Sequence, residues 1–154
     1  MSEERIHTFI TVLGMVSICG DSDGISAVYL PNDNLPVMEE GNNDVIDEAE
    51  EELMEYLSGQ RKTFEVPLHI SGTEFRMQVW ERIMKIPYGK TLTYKELAED
   101  IGRPNANRSV GSACGKNCIP IIIPCHRVLA SDGIGGYSSG ISLKTRLLNL
   151  EKSF

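Results

Sequence analysis

Residues 123–128 run Ile-Pro-Cys-His-Arg-Val, which sets a sulfur nucleophile, an imidazole and a guanidinium in consecutive positions behind a proline. A thiolate is far more nucleophilic than a thiol, and basic or cationic neighbours lower the pKa of a cysteine. On this reading Cys125 is the nucleophile, His126 its base and Arg127 a nearby positive charge. The competing reading is an inert buried cysteine beside a surface histidine, because free cysteine is among the most buried residue types. The six residues do not decide between the two, and the elements that would hold them must.

The 154 residues suffice for one medium domain or two small ones. No apolar run approaches the length of a membrane span, and Met-Ser-Glu-Glu-Arg at the start is unlike a signal peptide, so an intracellular, cytoplasmic protein without membrane partners is expected. Four cysteines (Cys19, Cys114, Cys118, Cys125) form no CxxC pair and are expected to be free thiols. His7, Cys19 and His69 are too scattered for a ligand set, so no metal and no cofactor is expected. Net charge is −7 overall but unevenly divided. Residues 1–70 hold three basic and fifteen acidic side chains (net −12), whereas residues 71–154 hold twelve and seven (net +5). Such asymmetry suits a chain in which one part meets a polyanion, with salt-dependent affinity. A merely solvated surface is the alternative for the acidic half.

The elements read as follows. Residues 5–13, 15–19 and 24–30 are β-branched and aromatic and predict three strands, broken at Gly14 and at Gly20-Asp21-Ser22-Asp23-Gly24. Residues 31–43 read as a loop, and Asn43 or Asp44 caps a helix to about Leu57, with Ile46, Ala49, Leu53 and Leu57 on one face. Residues 63–66 read as a further short strand. Thr73 caps a helix to about Lys85, and Thr93 with Glu96 forms a capping box for residues 94–101. After the Gly102-Arg103-Pro104 turn comes a short helix over about 105–115, and residues 142–151 form the last one. The expected fold class is therefore α+β: a small N-terminal antiparallel sheet with a helix (residues 1–70), then a mostly helical C-terminal domain (71–154) with a winged-helix-like helix-turn-helix.

Many helical hairpins bind nothing, so the surface of the second hairpin helix matters. Ala106, Ser109, Gly111, Ser112, Ala113 and Gly115 are small, and Arg108 is its one long cation near the start. A helix that reads bases in the major groove carries long Arg, Asn or Gln side chains. This one suits close backbone approach to a narrow groove with Arg108 as a wedge. A small-residue face packed on a neighbouring helix is the alternative. Glu151 adds one more clue, because an acid near a helix C-terminus is electrostatically misplaced unless it has a specific partner.

Taken in order, the Ile123–Val128 block, the Pro87-Tyr88-Gly89 turn, Thr93-Tyr94, the Arg108 helix, Asn117, the Tyr137-Ser138 loop and Glu151 resemble the O6-alkylguanine-DNA alkyltransferase (methylated-DNA–protein-cysteine methyltransferase) family, closely over residues 73–151. The resemblance implies that Cys125 accepts the alkyl group, with His126 as its base and Glu151 orienting His126. It further implies that Asn117 holds the turn before the active segment, that Tyr94 hydrogen-bonds a flipped guanine, and that the carbonyls of Cys125 and Val128 receive its exocyclic amine. Ser138 would offer a backbone N–H near O6, and Tyr137 with the surrounding loop, Ser139 included, would wall the pocket. Arg108, flanked by Ala106 and Ser109, would fill the gap left in the duplex. The partner is then double-stranded DNA containing O6-alkylguanine, met by a monomer. Three departures stand out: Cys118 where many relatives carry proline, Ser139 where glycine is common, and no match to the zinc ligands of some relatives.

The chemistry implied is displacement at the alkyl carbon with guanine leaving, which needs a thiolate, a proton relay and stabilisation of the departing purine. Neighbouring residues of a strand face opposite ways, so Cys125 and His126 meet only if the site is a turn or if a water bridges them, and a water bridge is expected. A base stacked in a duplex must be extruded first, at a few kcal/mol, which suits a wedge such as Arg108. The product is a thioether, a poor leaving group, so one turnover per molecule is expected, and the added methyl should destabilise the fold. Three rivals remain: a lesion binder of the same fold, which would lack the acceptor cysteine; a helix-turn-helix regulator, which would need long base-reading side chains; and a cysteine hydrolase, which would need an oxyanion hole.

Overall fold

The computed structural model describes residues 3–152 and comprises two compact units, one ending at Ile70 and the next beginning at Ser71.

In the first unit β1 (Arg5–Thr11), β2 (Gly14–Gly20) and β3 (Ile25–Tyr29) pair antiparallel in chain order. The first strand stops two residues short of the expected end. The Thr11 hydroxyl donates to the Gly14 carbonyl (2.9 Å) and accepts from the Leu13 amide (3.0 Å), which closes a hairpin turn over Val12 and Leu13. Gly14 supplies the φ of +119° that the turn requires. Helix α1 (Asp44–Leu57) packs on the sheet through Ile46, Ala49, Leu53 and Leu57, as its periodicity predicts, together with Tyr56. Its N-cap is Asn43, whose Oδ1 accepts from the Ile46 amide at 2.8 Å.

The strand expected over residues 63–66 is absent. The buried Glu52 carboxylate of α1 accepts from the amides of Glu65 (3.0 Å) and Val66 (3.1 Å), so those donors go to a side chain and not to a ladder. The chain instead runs beside β3 a little later, where Ile25 N–H donates to Pro67 and His69 N–H donates to Ile25.

The second unit contains α2 (Glu74–Met84), α3 (Tyr94–Asp100), α4 (Asn107–Gly115) and α5 (Ile141–Leu150). Thr73 caps α2 through the Arg76 amide, and the Thr93–Glu96 capping box forms with both bonds in place, at 2.9 and 3.0 Å. Helices α3 and α4 make the helix-turn-helix. The small residues of α4 divide between a packed face and an exposed one. Val110, Ala113 and Cys114 are buried, and the Ala113 carbonyl accepts from Trp80 Nε1 on α2 at 2.9 Å. Arg108, Ser109, Ser112 and Gly115 are exposed. One pairing had no sequence signal: β4 (Leu92–Thr93) and β5 (Val128–Leu129) run parallel, two residues each, and bring the start of α3 beside the chain leaving Cys125. Among the described residues no helix is long and apolar enough to cross a membrane.

Candidate active site

Pro124 aims Cys125. Its φ of −81° and ψ of 62° are those of an inverse γ-turn, a shape that the pyrrolidine ring favours, and the turn is closed by Cys125 N–H donating to Ile123 O at 2.8 Å. Residues Cys125–Arg127 then form one turn of 3-10 helix, with Arg127 N–H donating to Pro124 O. The active segment is thus a turn and not a strand. Upstream, Ile121 is buried with φ +73°, a left-handed conformation uncommon for a β-branched side chain.

Asn117 ties these turns together. Its Oδ1 accepts from the Ile119 amide (2.9 Å), and its Nδ2 donates to Ile123 O (2.9 Å) and to Cys125 Sγ (3.1 Å). The sulfur opens into a cavity of about 230 Å³ lined by Tyr94, Gly111, Cys114, Gly115, Gly136, Tyr137 and Ser138. Gly135, behind Tyr94, has φ +76°, and a side chain there would come within 3.0 Å of the Tyr94 ring and hydroxyl.

Behind Cys125 lies a buried charge network. His126 is fully buried, and its Nε2 lies 2.8 Å from Glu151 Oε2. Glu151 Oε1 accepts from Arg127 Nε (2.8 Å) and Gly89 N–H (3.2 Å), and Oε2 accepts from Arg127 Nη2 (3.0 Å). Arg127 completes its fork on Ile86 O at 2.7 Å and lies over the Tyr88 ring. An ionised Glu151 held by this fork needs a donor from His126, which places the imidazole proton on Nε2 and leaves Nδ1 with a lone pair. His126 Nδ1 is buried and has no hydrogen-bond partner among the described residues.

The charge pattern corrects one sequence expectation. Arg127 points at Glu151 and away from the sulfur, and burial pushes the Cys125 thiol above its ordinary range. The largest influences that lower it are the Asn117 hydrogen bond and then the charge of Lys144. Burial holds His126 below the usual imidazole range despite Glu151, so it is neutral at pH 7. Burial, then the nearby Cys114 and Cys125, raise Tyr94, so its hydroxyl keeps its proton. Cys114, on the cavity wall, is pushed up to about 12, mainly by burial.

Sequence reasoning missed Lys144. This fully buried side chain donates to Val128 O (2.7 Å) and Gly136 O (3.0 Å) and lies 5.9 Å from the Tyr94 ring. The signal was present: Lys144 shares a stripe with Leu147 and Leu148 on α5 and with Glu151 at its C-cap, and a cation on an apolar stripe beside an acid indicates a buried network. Of the other expected residues, Val128 sits at the start of β5 with its carbonyl engaged by Lys144. Ser139 is half-buried and outside the cavity lining. Arg108, Ala106 and Ser109 lie at the N-terminal end of α4, with Arg108 three and seven residues before the cavity-lining Gly111 and Gly115 and hence on their side of the helix. Among the described residues no group of three or more metal-ligating side chains is placed to hold an ion.

The chain is similar to known proteins over both units. Residues 5–70 match the ribonuclease-like domain, and residues 74–153 the DNA binding domain, of 6-O-methylguanine DNA methyltransferase. The chain is 40% identical over 150 residues to a methylated-DNA–protein-cysteine methyltransferase of Methanosarcina acetivorans, covering 94% of this chain and 96% of the relative. The structure of Mycobacterium tuberculosis O6-methylguanine methyltransferase superposes with a TM-score of 0.90 at 34% identity, over 98% of this chain and 94% of that one. The same TM-score, at 35% identity, holds for the M. tuberculosis protein in complex with DNA, over 97% and 93% of the two chains. The protein described here belongs to the 6-O-methylguanine DNA methyltransferase family.

Proposed function

We propose that this protein repairs DNA by moving an alkyl group from O6 of guanine in duplex DNA onto Cys125 Sγ, once per molecule. The observation that carries the reading is a cysteine sulfur facing a cavity, fixed by Asn117, in front of a neutral histidine backed by Glu151 and Arg127. Residues 71–154 would bind DNA and perform the transfer, and residues 1–70 would be structural. The protein works as a monomer in a reducing compartment, the cytoplasm or, in a eukaryote, the nucleus, where its thiols stay free.

The proton follows the geometry. Cys125 rests as a thiol because of its burial, and His126 Nδ1 is the free base position. A water between them passes the thiol proton to Nδ1 as the sulfur attacks. Glu151 stabilises the imidazolium, and its own charge is compensated by Arg127. The S–C bond forms as the C–O bond breaks, and the guanine leaves as an anion that the Tyr94 hydroxyl serves as donor. Lys144 offsets the negative charge while it sits on sulfur. Among the described residues no group is placed to cleave the thioether, and Cys114 in the same cavity holds its proton too firmly to do so.

The test uses duplex DNA carrying O6-methylguanine with a radiolabelled methyl. Label is expected to become acid-stable on the protein and to be lost in Cys125→Ser. Label that stays on DNA while the protein binds it contradicts the proposal.

A pH dependence follows. An imidazole held below its ordinary pKa stays a base as pH falls through about 6.5. Stability linked to His126 is complete above about 6.5 and is lost as pH drops towards the lower native value, because the unfolded chain takes up the proton first. Methyl uptake is therefore expected to stay level from pH 7.5 through about 6.5 and to decline only below it. A rate profile measured by single-turnover quench checks this.

Arg108 supplies a second prediction. As an exposed cation on the cavity side of α4, it would occupy the gap left by the flipped base. Arg108→Ala is expected to slow transfer from duplex DNA about tenfold, the equivalent of about 1.4 kcal/mol. Uptake from free O6-methylguanine should be unchanged, and equal losses on both substrates would contradict the role.

A further inference from the structure

Cys114 is a second thiol in the cavity that the transfer does not use. It lies on α4, is 9% exposed, and lines the same wall as Gly111 and Gly115, facing the space into which Cys125 opens. The wall around it has room. A side chain at Gly115 would meet nothing within 4 Å, and one at Gly111 only the Tyr94 ring at 3.9 Å. Both sulfurs line this one cavity, Cys114 feels the charge of Cys125, and both feel Lys144. Cys118, by contrast, is exposed, lies 3.6 Å from the Lys116 carbonyl and does not line the cavity. Cys19 belongs to the other unit.

We propose that Cys114 and Cys125 form a dithiol site for a trivalent arsenical, which bridges the two sulfurs and occupies the alkyl-accepting cavity. Soft thiol sulfur favours soft, thiophilic centres. A single thiol holds such a centre in ready exchange with thiols in solution, whereas two thiols on one rigid scaffold hold it as a chelate, because the second bond closes intramolecularly. The condensation suits buried, protonated thiols. With an arsenoxide, two S–As bonds form, the arsenic–oxygen bond is lost, and both thiol protons leave with the oxygen as one water. Arsenic stays trivalent, so neither an oxidant nor a reductant is needed.

The probe is phenylarsine oxide, added to the intact protein, followed by a wash with excess monothiol and weighing of the protein. Wild type is expected to retain one phenylarsine oxide less one water, released by a dithiol. Cys114→Ser and Cys125→Ser should each lose the wash-resistant adduct, while Cys118→Ser and Cys19→Ser keep it. The unmutated protein gives an independent check. After unfolding in iodoacetamide, the adduct should leave Cys114 and Cys125 unlabelled, with Cys19 and Cys118 labelled. A wash-resistant adduct that survives in Cys114→Ser, that protects Cys118, or that never forms on wild type overturns the proposal.

Discussion

Glu151→Ala is expected to destabilise the protein by about 3–5 kcal/mol, the range for removing one partner from a buried ion pair. Glu151 is buried and accepts from Arg127 twice, from Gly89 N–H and from His126, so its loss strands a buried guanidinium and an imidazole together. Methyl uptake should fall in the same variant, because nothing then fixes the His126 proton on Nε2 or offsets the imidazolium. Glu151→Gln separates the two effects. It keeps the size and one acceptor, so stability should recover in part while the transfer rate stays low. Chemical denaturation and single-turnover quench measure the two quantities, and a Glu151→Gln protein with wild-type transfer would remove Glu151 from the mechanism.

The second large effect is expected at Lys144. Methionine keeps the length of the stem but removes the two hydrogen bonds to Val128 O and Gly136 O and the positive charge that lowers the Cys125 pKa. Without that charge the thiol binds its proton more tightly still, and a pKa higher by one means about a tenfold loss of thiolate at fixed pH. Lys144→Met is therefore expected to slow transfer by about tenfold or more at pH 7, and, because the same charge helps hold the His126 pKa down, to move the rising limb of the rate profile to more alkaline pH. A slower rate with an unmoved profile would assign Lys144 to holding the Gly136 loop alone. Removing a buried charge relieves desolvation, so the stability change should be smaller than for Glu151→Ala.

Much of the site was visible in residue order because its parts are local. The Pro-Cys-His-Arg run encodes its own turn, the Asn43, Thr73 and Thr93 caps encode helix starts, and Glu151 is conspicuous at the wrong end of a helix. What the sequence hides is the direction in which charges point. Arg127 reads as a neighbour of the sulfur, yet its fork turns to a carboxylate twenty-four residues on. Burial then raises the Cys125 pKa where cationic neighbours were expected to lower it. The strand expected at 63–66 fails for the same reason, since its amides are claimed by Glu52 from a helix well upstream. The β4–β5 pairing is too short to leave any period. Each miss is a long-range polar contact, for which local pattern carries no information, whereas apolar stripes and caps depend on neighbours in the chain.

The most direct test titrates the protein with an excess of duplex DNA containing O6-methylguanine and follows its intact mass. The expected result is a rise by one methyl that stops at one per chain, maps to Cys125, and is matched by loss of one lesion per protein molecule. Lesions removed in excess of protein molecules, or a chain whose mass never changes while lesions disappear, would show that Cys125 is not the terminal acceptor.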